Sequence, residues 1–148
     1  MRFSIFSTLF ISLVILACNK NSRVGDDCES GCNSNRVCTN DFRSLMVQVV
    51  NRSGTGVELD SFKVVRKRDE KVILDNLKWQ QPAGVSYMPG VYLVCSDSYM
   101  KETSVCGDDF VFKGYLDNKT VAEMTYKIAN DCCHIYLKSG DTKIVVDK

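Results

Sequence analysis

The run Asn130–Gly140, NDCCHIYLKSG, sets Cys132, Cys133 and His134 side by side, and His134 is the only histidine in 148 residues. Thiolate and imidazole are good zinc ligands, and paired thiols carry redox chemistry. The spacing argues against both. Cys28, Cys32 and Cys38 are the sulfurs of the N-terminal segment, but C-x3-C-x5-C lacks the tight C-x2-C pair of structural zinc sites. Three successive residues of a regular strand cannot all face one ion, because side chains alternate between faces. No C-x-x-C redox motif occurs. In any Ser or Cys mechanism His134 would have to be the base. Asp26-Asp27 and Asp108-Asp109 are adjacent carboxylates that read as solvated linker or strand edge. No glycine-rich phosphate loop is present. His134 is therefore expected to be structural, with its ring nitrogens hydrogen-bonded. No catalytic residue, metal or cofactor is expected.

The N-terminus gives an address. MRFSIFSTLFISLVILAC has one base at Arg2 and then an apolar run from Ile5 to Ala17, the pattern of a secretory signal peptide. It ends in Ile15-Leu16-Ala17-Cys18, which resembles the bacterial lipobox, with Leu16 where a smaller residue is commoner. The resemblance implies a lipid on the Cys18 sulfur, cleavage before Cys18 and acylation of the new N-terminus. Several acyl chains hold a domain firmly to a bilayer, each buried CH₂ contributing about 0.8 kcal/mol. The expected localisation is the bacterial cell envelope, lipid-anchored in the outer membrane, with the membrane face left open. Removing residues 1–17 leaves 131 residues that balance 18 Lys+Arg against 18 Asp+Glu. That balance gives no electrostatic case for nucleic acid. The expected organisation is a signal peptide (1–17), a lipidated N-terminus and linker (18–37), and one domain (38–148).

With Cys18 acylated, seven cysteines remain in an oxidising compartment, an odd number. Cys95 and Cys106 flank the polar loop SDSYMKETSV, and a local bridge between them is expected. Cys132 and Cys133, on an extended strand, point to opposite faces and so reach two different partners. The trio Cys28, Cys32 and Cys38 is the nearest supply. The connectivity, and which cysteine is left over, stay open.

The body of the chain is built of short alternating runs separated by turn residues. RSLMVQVV (43–50), DSFKVVRK (60–67), KVILDNL (71–77), GVYLVCS (90–96) and DDFVFKGYLD (108–117) read as strands. In KTVAEMTYKIAND (119–131) the apolar parity switches, which a bulge near Ala122 would reconcile. CHIYLKSG (133–140) and TKIVVDK (142–148) are expected to close as a hairpin across Ser139-Gly140-Asp141, and the NRSGTG loop also suits a hairpin turn. GVYLVCS sets Val91, Leu93 and Cys95 on one face and reads as buried on both. No apolar repeat of helical period is sustained. The expected fold is all-β, a single antiparallel β-sandwich of about seven strands, immunoglobulin-like or transthyretin-like and stapled by disulfides.

Several pieces bear a family likeness: Cys38-Thr39-Asn40-Asp41-Phe42-Arg43, Gly90-Val91-Tyr92, Phe112-Lys113-Gly114, and above all Asp131-Cys132-Cys133-His134-Ile135 with Ser139-Gly140. Through them the chain resembles small Bacteroidota-type lipoproteins with a transthyretin-like or carboxypeptidase-regulatory-like β-sandwich. The resemblance implies the fold and the address and carries no activity with it. Binding in sandwiches falls to end loops. Trp79, in KWQQPAG, is the candidate contact residue, with Tyr87 and Tyr99 on similar connections. The expected function is a lipid-anchored accessory or binding module that recognises a protein or glycan partner without catalysis. The alternative is a metal- or redox-active envelope protein using Cys132, Cys133 and His134.

Overall fold

The computed structural model describes Cys32, residues 36–76 and residues 88–148. The signal peptide, Cys18, Cys28, Trp79 and Tyr87 lie outside the described residues. Among the described residues eight strands are formed: β1 (Ser44–Asn51), β2 (Ser61–Arg66), β3 (Lys71–Asp75), β4 (Val91–Ser96), β5 (Asp108–Leu116), β6 (Lys119–Asn130), β7 (Ile135–Ser139) and β8 (Lys143–Val146). A 3-10 turn, Asp97–Glu102, kinked at Tyr99, follows β4. The strands make a three-stranded sheet in the order β4-β1-β8 and a five-stranded sheet in the order β3-β2-β5-β6-β7.

Alternation explains the five-stranded sheet. β5 turns Phe110, Phe112 and Leu116 inward, and β2 does the same with Phe62 and Val64. In β6 the register slips between the pairs Gly114↔Ala122 and Tyr115↔Thr120, so Val121 is the extra residue of a bulge. That bulge, beside Ala122 as the parity switch predicts, turns Ala122, Tyr126 and Ile128 into the core. Gly114 pairs with Ala122, and a side chain there would meet Leu59 Cδ1 at 2.5 Å. The β5–β6 turn is two residues, Asp117 (φ 48°) and Asn118 (φ 62°), both left-handed. That is the conformation which matches strand twist, and Asn and Asp tolerate it best after glycine.

The two sheets meet over an aromatic cluster. Tyr92 from the smaller sheet lies 5.3 Å from Phe62 and 6.0 Å from Phe112, which are themselves 5.8 Å apart. The Tyr92 hydroxyl accepts from the Leu59 N–H at 2.6 Å and donates to the Val57 carbonyl at 3.1 Å. The buried phenol is thereby satisfied and the β1–β2 connection is fixed.

Three expectations about connection change. β7 and β8 do not form a hairpin: β7 joins the larger sheet, while β8 pairs parallel with β1 in the smaller one. Ser139–Thr142 is thus a crossover between sheets, held where the Tyr126 hydroxyl donates to the Asp141 carbonyl at 2.9 Å. The NRSGTG loop does reverse the chain, with Val50 bridging Gly56. The reversal goes no further, because β2 belongs to the other sheet. In β4 the register slips between Leu45↔Cys95 and Met46↔Leu93, leaving Val94 as an extra residue. Val94 and Cys95 are both fully buried as a result, and Cys95 leaves the face of Val91 and Leu93.

Candidate functional site

β6 ends at Asn130 and β7 begins at Ile135, its register partner, so Asp131–His134 is a four-residue hairpin loop rather than strand. The chain can turn there because Cys132 takes a left-handed φ of 73°. Asp131 caps the loop, its Oδ1 accepting from the N–H groups of Cys133 at 3.0 Å and His134 at 2.8 Å. Asn130 closes the other side, accepting from the Cys132 N–H at 3.0 Å and donating to the Thr103 carbonyl at 2.7 Å.

The two adjacent cysteines diverge to different partners. Cys132 is bonded to Cys32 and Cys133 to Cys38, with Cα separations of 5.4 and 5.3 Å. The expectation of two N-terminal partners holds, although loop geometry and not strand alternation separates the sulfurs. The expected Cys95–Cys106 bridge does not form. The β4 bulge buries Cys95 in the core as a free thiol, and burial pushes that thiol up to about 12. Cys106, beyond the 3-10 turn, is disulfide-bonded.

His134 is buried against the segment that the disulfides bring over, which we call the strap, residues 36–43. Its Nδ1 lies 2.8 Å from Asp97 Oδ2, and its Nε2 lies 2.9 Å from Thr39 Oγ1 and 3.3 Å from Asp41 Oδ1. Asp97 is itself fixed by the N–H groups of Arg43 and Ile135, each at 2.8 Å. Burial pushes the Asp97 carboxyl up, yet those backbone donors and the His134 ring hold it below its ordinary value. The Thr39 hydroxyl donates to Asp41. That bond and the Arg43 guanidinium hold the Asp41 carboxyl low.

Asp97, His134 and Thr39 stand in the order acid, base, hydroxyl of a nucleophilic triad, at triad distances. The chemistry differs at the last member. Thr39 shares its proton with a carboxylate, and taking that proton away would set an alkoxide against Asp41. The arrangement fastens the strap to the hairpin loop.

Of the candidate binding residues, only Tyr99 is described. It is half-buried and packs against the core, because the 3-10 turn folds it back over the end of the sandwich. The sequence did not link Asp97, Thr39 and Asp41 to His134, for they meet it across 37, 95 and 93 residues and no local pattern joins them. Asp131 had a local signal, since an Asp two and three residues ahead of free N–H groups is a common turn cap. Arg66 also escaped notice. It is buried at the same end, with Asp69 at 2.6 Å and Glu102 at 2.9 Å. No family model matches the chain, and no curated protein or solved structure matches it either.

Proposed function

We propose that the protein is a lipid-anchored module of the bacterial outer membrane, attached through Cys18, which recognises an envelope protein or glycan through loops. The observation that carries this reading is the covalent closure of the N-terminal strap onto the β6–β7 loop by two disulfides. A domain tied at one end to the segment emerging from the membrane leaves its opposite end free. The cysteine count agrees: five of the six described cysteines are bridged and Cys95 is buried. The alternative metal reading loses its ligands while Cys132 and Cys133 are bridged, because zinc needs thiolates.

The opposite end carries the β5–β6 turn and a cleft of about 290 Å³ floored by Phe62 and Tyr92. Asn76 and Met88 line that cleft, and they are the residues between which Trp79 and Tyr87 fall in the chain. Aromatic side chains are the usual anchors of such interfaces. The expected test result is that Cys18→Ser moves the protein from membrane to soluble fractions. Trp79→Ala, still folded and membrane-bound, loses the partners that the parent retains in a cross-linked pull-down. An unaltered set of partners would remove Trp79 from the account, and membrane retention by Cys18→Ser would remove the anchor.

A further inference from the structure

We propose that Asp97, His134, Thr39 and Asp41 form a proton-sensitive latch, in which one imidazole sets how firmly the Thr39–Arg43 segment is fastened to the hairpin end. The four groups make a continuous chain: Asp97 Oδ2 at 2.8 Å from Nδ1, and Nε2 at 2.9 Å from Thr39 Oγ1, whose hydroxyl meets Asp41.

With both nitrogens protonated, the ring donates to Asp97 on one side and to Thr39 on the other. Thr39 then gives its own proton to Asp41, so every acceptor has a donor. The ring also pairs with the Asp41 carboxylate at 3.3 Å. An imidazole that releases one proton to solvent keeps a single N–H. Asp97 retains it on Nδ1, and Nε2 becomes an acceptor. The one hydroxyl proton of Thr39 now turns from Asp41 to Nε2. Asp41 loses that donor and the ion pair together, keeping the Arg43 guanidinium at 3.2 Å and its own N–H.

Among the described residues, Asp97 faces the ring from the 3-10 turn; Asp41, with Arg43 behind it, faces it from the strap, and Arg36 of the strap donates to the Asp131 carbonyl on the ring's loop. Asp131, on the ring's own loop, spends its Oδ1 on the N–H groups of Cys133 and His134. The Cys38–Cys133 disulfide beside the ring does not titrate. Because both disulfides stay closed, the strap remains attached in either state. What changes is how firmly residues 39–43 lie on the hairpin, and with them the Arg43–Asp97 contacts that seat the start of β1.

The single histidine makes the test clean, since one imidazole resonance in the NMR spectrum of the full chain in detergent belongs to His134. Amide exchange of residues 39–43, corrected for intrinsic base catalysis, is expected to accelerate roughly fivefold as pH rises through the interval where that resonance moves. His134→Gln removes the step. A resonance that moves while exchange stays level overturns the latch, as does a step that persists in His134→Gln. Should that variant fail to fold, Asp41→Asn keeps the ring but removes the carboxylate that is let go; an undiminished step there overturns the latch equally.

Discussion

Asp97 holds three donors at one carboxylate: the N–H of Arg43, the N–H of Ile135 and the His134 ring, each at 2.8 Å. A carboxyl lowered in the folded state contributes stability above its unfolded pKa and loses it as pH falls through the folded value. Asp131 behaves alike, held low first by the His134 N–H and then, against burial, by the Cys133 N–H. Urea midpoints are therefore expected to fall below about pH 4, the ordinary carboxylate range. Asp97→Asn is expected to cost about 1–3 kcal/mol at pH 7, as for hydrogen bonds to a charged group, and to flatten the acid fall. A variant that melts like the parent at pH 7 and falls as steeply would show that Asp97 does not bear this load. At this scale the sequence told half. That a lone histidine beside two bridged cysteines would be satisfied was legible from its setting. The groups that satisfy it were not, because each comes from a separate element brought in by tertiary folding.

The strands were legible for a simple physical reason: a half-buried strand must alternate, and β2 and β5 do so residue by residue. Even the β6 bulge left a parity switch to read. Sheet membership left none. The Ser139–Thr142 turn looks like a hairpin in sequence, yet it passes between sheets, and the parallel β1–β8 pair joins the two ends of the domain. The β4 bulge was equally silent, since moving Cys95 inward changes its face without changing its neighbours. The β6–β7 hairpin yields a prediction of its own. Its two bridges span 100 and 95 residues, and alone either would contribute about 4.7 kcal/mol by the chain-entropy relation. Together they are redundant: with one closed, the other closes only the short ring through Cys32–Cys38 and the adjacent pair Cys132-Cys133. Replacing both cysteines of either bridge by alanine should therefore cost no more than about 3 kcal/mol in urea unfolding. A loss of the full single-bridge value from one deletion would mean that the bridges act independently.

At the scale of the molecule, the sandwich has two unlike ends. One gathers the strap, both described disulfides, the His134 cluster and the buried Arg66 with Asp69 and Glu102. The other holds the β5–β6 turn, the Asn51–Val57 reversal and the cleft over Phe62 and Tyr92. The two described disulfides lie at one end and the apolar-floored cleft at the other. All of this depends on the connectivity of the CCH run, which non-reducing peptide mapping tests directly. The full chain is alkylated while unfolded but unreduced, digested and read by mass spectrometry. The account predicts peptides joined through Cys32–Cys132 and Cys38–Cys133, with Cys95 the alkylated thiol of the domain. Alkylated Cys132 or Cys133, or a Cys95–Cys106 peptide, would contradict it.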